Sequence, residues 1–336
     1  MGAQHDGFSP AFVVGAERSG TTLLATVLSR HSKLVFTPET HFFKDVLPVR
    51  GDHVEMVGKL LAAPRIADLR LDRDALLERF NACTPDGKHL LRAMLEQYAE
   101  QFGKPRVGEK TPGHLRFAPT ILSWYPKARI ICIVRDGRDV ARSLVRAPWT
   151  HADPIRHLLD WERAARRCRE LAAREPERVR LVRLEDLLMD PSSVVSDLDA
   201  FLGLTYEPGQ LDPDGDSPVV PAWERRWKDQ ADRPLDPSRI GAWRKRTGER
   251  ERLRFAALVG HELRAHGYAD ADLESCSPAA RARLLTWATA MRVRNCRPVY
   301  QTTKFFTRVG ERTPEPTSER PDWDVESMRQ EAPDQR

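Results

Sequence analysis

The sequence predicts a three-layer α/β fold, a central parallel β-sheet flanked by helices, and three observations carry that prediction. Short apolar runs recur along the chain, at Ala11–Gly15, Leu34–Phe36, Arg106–Gly108, Arg129–Val134 and Arg178–Leu184. Segments of helical pattern separate them, and strands alternating with helices give a parallel sheet covered on both faces. The first run passes through a polar, glycine-bearing loop into a helix, the opening of a nucleotide-binding βα unit.

Each element follows from its residues. AFVVG at Ala11–Gly15 follows a proline and is apolar throughout, as a fully buried strand is. The loop Glu17–Thr22 leads to a helix over Thr22–Ser29, and Leu34–Phe36 is a second short strand. Residues 53–102 are helical in pattern, with breaks near Pro64 and Pro85. Arg106–Gly108 is a third strand. RIICIV at Arg129–Val134, β-branched and preceded by a Pro-Lys turn, is the strongest strand signal in the chain. Helices are predicted over Asp136–Val145, Asp153–Ala173 and Ser192–Leu202, with an alternating strand, RVRLVRL, at Arg178–Leu184. Residues 207–236 are rich in Pro, Asp and Trp and read as loop. Arg250–His266 and Arg281–Val293 are helical, the latter with Leu284, Leu285, Ala288 and Met291 at helical spacing. The predicted organisation is one domain over 1–270, a helical extension over 271–310 and an acidic tail over 311–336. That tail is too poor in apolar residues to order itself.

Composition narrows the function classes. With 336 residues, 40% hydrophobic and 31% charged, the chain is neither collagen-like, nor a disulfide-knotted mini-domain, nor wholly disordered. Lys and Arg number 54 against 49 Asp and Glu, a net charge of +5. No zinc-finger, RRM or KH signature accompanies that mild excess, so no nucleic-acid partner is expected. The 5 cysteines include no CxxC pair, which argues against a disulfide framework or a zinc site and for a reduced, cytoplasmic setting. No stretch approaches the roughly 18 apolar residues of a transmembrane segment. The opening MGAQHDGFSP lacks the pattern of a secretory signal.

The chemistry-bearing motif is Gly15-Ala16-Glu17-Arg18-Ser19-Gly20-Thr21-Thr22. It has the GxxxxG spacing of a phosphate-binding P-loop, but Thr21 stands where that loop carries its Lys. Backbone N–H groups and a helix N-terminus still cradle an anion there. Arg18 places a forked cation inside the loop, suited to a terminal group with planar oxygens.

Arg18-Ser19-Gly20-Thr21-Thr22 resembles the 5′-phosphosulfate-binding loop of sulfotransferases that use 3′-phosphoadenosine-5′-phosphosulfate (PAPS). Four further segments resemble that family, in order. Glu39-Thr40-His41-Phe42-Phe43 is similar to a segment of the heparan-sulfate sulfotransferases, and the tyrosylprotein branch has a Glu-Thr pair at a similar distance from the loop. Glu109-Lys110-Thr111-Pro112 resembles the segment whose Lys meets the transferring group. Arg135 and Ser143 are similar to the pair that binds the 3′-phosphate. Leu184-Glu185-Asp186-Leu187 with Asp190-Pro191 looks like the family's stretch after a later strand. The resemblance covers about residues 8 to 250. There are departures. Leu184 stands where many relatives have Tyr or Arg, and Pro112 where the small-molecule branch has a His.

The resemblance implies a P-loop NTPase-like fold and sulfuryl transfer from PAPS, leaving 3′-phosphoadenosine 5′-phosphate (PAP), with no metal required. The acceptor hydroxyl or amine would belong to a small metabolite, glycolipid or glycan. A tyrosyl peptide is left open as acceptor, and a second copy of the chain, in a homodimer, is left open as partner. Glu39 would be the general base, at the end of a parallel strand where open α/β sheets bind ligands. His41 would contact the acceptor or relay to Glu39, and the neighbouring Phe42 and Phe43 read as core. Lys110 and Arg18 would stabilise the transferring group, Lys110's alternative being a surface pair with Glu109. His114 is an alternative base. Arg135 and Ser143 would grip the 3′-phosphate. The basic loop Trp243-Arg244-Lys245-Arg246 would close over it. Arg138 and Arg142 read as solvated. Arg281, Arg283, Arg292, Arg294 and Arg297, near Trp287 and Tyr300, form a basic stripe whose default is a solvated helix face. Two other functions share the loop: an ATP-dependent P-loop kinase, which needs the Lys missing at 21, and a nucleotide-binding protein without catalysis.

Overall fold

The computed structural model describes residues 7–147, 150–213, 217–224, 234–268 and 273–296. Its strands are β1 (Ala11–Gly15), β2 (Leu34–Phe36), β3 (Arg106–Lys110), β4 (Arg129–Val134) and β5 (Val179–Arg183). They form one sheet in the order β2-β3-β1-β4-β5, every pair parallel. The chain crosses from one side of β1 to the other between β3 and β4. The carboxyl ends of these strands therefore meet at a topological switch point, where open sheets bind ligands.

The helices are α1 (Thr21–Ser29), α2 (His53–Leu61), α3 (Arg73–Asn81), α4 (Gly87–Gln101), α5 (Ala118–Trp124) and α6 (Gly137–Val145). They continue with α7 (Pro154–Arg174), α8 (Leu184–Met189), α9 (Pro191–Leu202), α10 (Glu249–Ala265) and α11 (Pro278–Arg294). Leu24, Val27 and Leu28 of α1 pack with Val13, Ile131 and Ile133 of the sheet and with Val195, Leu198 and Leu202 of α9. Burial of such side chains stabilises the fold by roughly 1.5–3 kcal/mol each. The strands follow the apolar runs because both faces of a parallel sheet are covered, and all of β1 is buried. Among the described residues six aspartates cap α-helices: the side chains of Asp52, Asp72, Asp86, Asp136, Asp153 and Asp190 each accept a main-chain N–H of the first turn.

The structure departs from the expectation at several places. β3 runs two residues further than the apolar pattern, through the fully buried Glu109 and Lys110. β5 stops at Arg183, and Leu184 opens α8. The helical stretch 53–102 has a third break, where Asp72 caps α3. A 3₁₀ turn, Pro112–Phe117, and α5 fill a segment that carries no strong periodicity. All five cysteines are free thiols, and Cys132 and Cys168 are buried. Among the described residues no helix is long and apolar enough to cross a membrane.

Chain contacts divide the protein into one compact unit up to Leu284 and a second from Leu285 on. Arg281, Arg283, Arg292 and Arg294 are exposed on α11. Arg297, Tyr300 and the acidic segment 311–336 lie outside the described residues.

Candidate active site

The loop after β1 is shaped by two residues at positive φ. Gly20 caps α1 at φ 96°, and a Cβ there would sit 2.7 Å from Leu184 Cδ1. Leu184 is buried beneath the loop, so its apolar side chain serves packing. Arg18 has φ 65°, a conformation non-glycine residues seldom adopt, and its Nε donates to Ser143 Oγ at 3.0 Å. Unlike the six Asp-capped helices, α1 has no side-chain cap and no acidic residue in its first turn. Its N–H groups and dipole therefore present an open anion-binding end. Ser19 is fully buried, and its Oγ has no hydrogen-bond partner among the described residues.

Positive charge gathers near this end. Burial first, and then the positive charges of Arg135, Arg239 and Arg146, pull the Arg18 guanidinium below its ordinary value, with Glu17 opposing them. Such crowding of like charge is relieved by a bound anion. Arg135 follows β4, its carbonyl accepting the Trp161 Nε1–H at 2.8 Å. Its guanidinium stands 3.9 Å from Asp139 Oδ2 and 3.5 Å from the Arg239 carbonyl. Ser143 is thus tied to Arg18, and the Arg135–Ser143 pair belongs to a wider cluster. Sequence reading missed Arg239, whose Pro-rich loop carries no periodic signal.

Across the loop lies a continuous chain of polar contacts. Lys110 Nζ, fully buried, is 3.3 Å from Thr22 Oγ1 and 3.0 Å from Glu39 Oε1. Glu39, 15% exposed, follows β2. Its Oε2 is 3.2 Å from His41 Nε2, and His41 Nδ1 is 3.4 Å from Asp45 Oδ2. His41 stands at φ 49° and opens a π-helical turn, Phe42–Val46, that buries Phe42 and Phe43. Two of the three described non-glycine residues at positive φ, Arg18 and His41, therefore belong to this site.

Several sequence expectations are corrected. Lys110 is no surface residue, and its carboxylate partner is Glu39, not Glu109. Glu109 is itself fully buried on the other side of β3. Its Oε1 accepts from Thr40 Oγ1 at 2.8 Å and Thr111 Oγ1 at 2.5 Å, and its Oε2 faces His114 Nδ1 at 2.7 Å. Burial alone would raise the Glu109 carboxyl, but the His114 charge and these hydrogen bonds hold it below the usual range. His114 is 2% exposed.

Arg138 is not solvated: it is 1% exposed, forks onto Asp136 at 2.9 and 2.8 Å, and lies 3.9 Å from the Trp243 ring centroid. Arg142 is held by Thr247 Oγ1 at 3.0 Å and by the Arg246 carbonyl. Trp243, expected in the loop over the donor, is 4% exposed, with its Nε1–H on Asp136 Oδ2 at 3.0 Å. Asp139 holds the same loop, accepting from Gly241 N at 3.0 Å and Trp243 N at 2.8 Å. Arg244, Lys245 and Arg246 remain exposed on the same turn.

A cleft of about 740 Å³ opens at the opposite end of the strands, lined by Phe8, Arg79, Arg92, Glu96, Lys104 and Arg106. Its cations are engaged by Glu96, Glu100 and main-chain carbonyls, and it contains none of the residues above.

Comparison with known proteins shows the family and the fold. An uncharacterized protein of Aquifex aeolicus is 29% identical over 147 residues, 42% of this chain and 17% of that protein. A "Putative protein-tyrosine sulfotransferase" of Caenorhabditis briggsae is 24% identical over 208 residues, 60% of this chain and 67% of the relative. The chain thus spans under a fifth of the first relative and about two thirds of the second. The sulfotransferase domain of the Synechococcus PCC 7002 olefin synthase shares the fold. Its TM-score is 0.59 at 20% identity, over 80% of this chain and 99% of that domain. The family model described as "Sulfotransferase family" matches residues 10–208, from the start of β1 past α9, so the switch-point loop, Glu39, Lys110 and Arg135 all fall within it. With more than half of the chain inside that match, the protein belongs to the sulfotransferase family.

Proposed function

We propose that the protein transfers a sulfuryl group from PAPS to a hydroxyl of a small metabolite, glycolipid or glycan. The observation that carries this reading is the contact line from Thr22 through the buried Lys110 to Glu39, which joins an anion-binding loop to a carboxylate base. The residues present fit the donor. The open end of α1 with Ser19, Gly20, Thr21, Thr22 and Arg18 would hold its 5′ group, and Arg135, Ser143 and Arg239 its 3′-phosphate. Arg244, Lys245 and Arg246 edge the same side.

In this scheme the acceptor oxygen attacks sulfur, and the bond from sulfur to the 5′-phosphate oxygen breaks. The acceptor proton passes to Glu39. Lys110 and Arg18 stabilise the charge on the leaving and transferring oxygens. His41, braced by Asp45, orients the Glu39 carboxylate and offers the proton a way out. A sulfuryl group carries less charge than a phosphoryl group, so these cations suffice and no metal ion is given a role.

The test is transfer from ³⁵S-labelled PAPS to a panel of acceptors: 2-naphthol, a tyrosyl peptide and an oligosaccharide. The peptide is included because of the Caenorhabditis relative's name. Labelled product, with PAP binding at least tenfold tighter than AMP, is expected. No transfer together with equal affinity for PAP and AMP would overturn the reading.

A further inference from the structure

The buried carboxylate of Glu109 has no place in the transfer chemistry, yet both its oxygens are held by close polar contacts. Its neighbours identify what it holds. Thr40, which lies between Glu39 and His41, donates its Oγ1–H to Glu109 Oε1, and Thr111, which follows Lys110, donates to the same oxygen. Thr111 Oγ1 in turn accepts the main-chain N–H of Thr40 at 3.1 Å and of His41 at 3.4 Å. The second oxygen, Oε2, faces His114 Nδ1, whose ring lies edge-on to Phe43. These contacts cross directly between the backbone that presents Glu39 and the backbone that presents Lys110. They also pin the turn at which His41 takes its positive φ. Burying a carboxylate is expensive unless every lone pair is matched, so a site of this kind is rigid or not formed.

Resting on the reading of Glu39 as base and Lys110 as its cation, we propose that Glu109 is a positioning residue. Acting through Thr40 and Thr111, it fixes the Glu39 carboxylate and the Lys110 ammonium at transfer distance. It touches neither donor nor acceptor. Loss of the clamp leaves donor binding to the loop and the arginines, and degrades the alignment on which the rate depends. A displacement of about 1 Å in such an arrangement lowers the rate by the order of 10²-fold.

The experiment compares Thr111→Val, Thr40→Val and Thr111→Ser, each alone and in a Glu39→Gln background, with ³⁵S-labelled PAPS and the best acceptor of the panel. Two valine variants are used so that a folding defect in one leaves the other informative. The expected result is a fall in kcat of about 10- to 100-fold for each valine variant, with donor KM and PAP affinity within about 3-fold of wild type. Thr111→Ser, which keeps the hydroxyl, recovers to within about 5-fold. In the Glu39→Gln background either valine costs less than in wild type, only the part carried by Lys110, because residues acting as a unit are not additive. A valine loss of equal size in both backgrounds, or one carried by donor KM, overturns the proposal and leaves a structural role. Failure of the underlying reading is seen separately, in the wild type and Glu39→Gln alone: no transfer, or a Glu39→Gln enzyme as active as wild type.

Discussion

Replacing Trp243 by Phe separates two roles that the sequence alone leaves merged, donor contact and loop anchor. The ring is 4% exposed, its Nε1–H reaches Asp136 Oδ2 at 3.0 Å, and the Arg138 guanidinium covers it at 3.9 Å. Phe keeps most of the apolar volume and loses the N–H. A hydrogen bond to a charged group is worth about 1.5–3 kcal/mol, and Asp136 retains its fork from Arg138, which favours the lower end. The weaker cation–π contact adds about 0.5 kcal/mol. The sum is near 2 kcal/mol, against roughly 3–5 kcal/mol for Trp243→Ala, which also opens a cavity. For a domain of this size 2 kcal/mol corresponds to about 4–8 °C in Tm. Thermal unfolding with and without PAP, and calorimetric titration of PAP, measure both quantities. The anchor predicts the full loss of Tm and a PAP Kd within about 3-fold. An unchanged Tm with PAP affinity lowered tenfold or more would refute the reasoning and return Trp243 to the ligand.

Three further outcomes follow from the same geometry. Arg135→Ala should raise the donor KM by about 10-fold or more while kcat changes little, since a group remote from sulfur binds ground and transition state alike; steady-state kinetics with varied PAPS reads this directly. Gly137→Ala places a Cβ 2.3 Å from Trp161 Cδ2, in the ring that hydrogen-bonds the Arg135 carbonyl, and should cost about 1–3 kcal/mol in urea unfolding together with a weaker grip on PAP; a neutral effect on both would contradict the packing. Because the Glu109 carboxyl is held below its ordinary 4.5, its stabilisation is complete above that pH and disappears as pH falls through the lowered value. The difference in unfolding free energy between wild type and Glu109→Gln should therefore shrink below about pH 4.5, and a difference that grows there would reverse the assignment.

The strands and the anion loop were legible because their signals are local. AFVVG and RIICIV are uninterrupted apolar runs, and the GxxxxG spacing lies within one turn of chain. The apolar pattern of β3 ends two residues short because Glu109 and Lys110 are the last residues a hydropathy pattern would bury. What buries them comes from elsewhere: Thr40 and Glu39 are 69 and 71 residues away in sequence. The burial of Arg138 is hidden for the same reason, since its charge is met by Asp136 beside it and its face by Trp243 from a distant loop. A Trp amid basic residues has the same local pattern whether it faces a nucleotide or anchors a turn. The distinction rests on Asp136 and Asp139, which the sequence shows only as helix-cap and helix residues. Arg239 gave no signal at all, because proximity to Arg18 and Arg135 is a property of the folded loop.

The substitution at position 21 then has a physical account. A P-loop lysine would extend from α1 toward the terminal group, on the donor side alone. Here the compact cation arrives from β3 and stops between Thr22 and Glu39. Thr21 is itself 4% exposed, so a lysine there would have to bury a second ammonium beside Lys110 and the arginines around Arg18. Moving the cation onto the neighbouring strand ties it to the Glu39 carboxylate as well as to the loop. Arg18 takes over the loop's own positive charge, in a forked form matched to planar oxygens. The two departures from a phosphate-binding loop, a missing lysine and an added arginine, are therefore one rearrangement: charge is kept, while the lysine's contact shifts from the donor alone to the junction of loop and carboxylate.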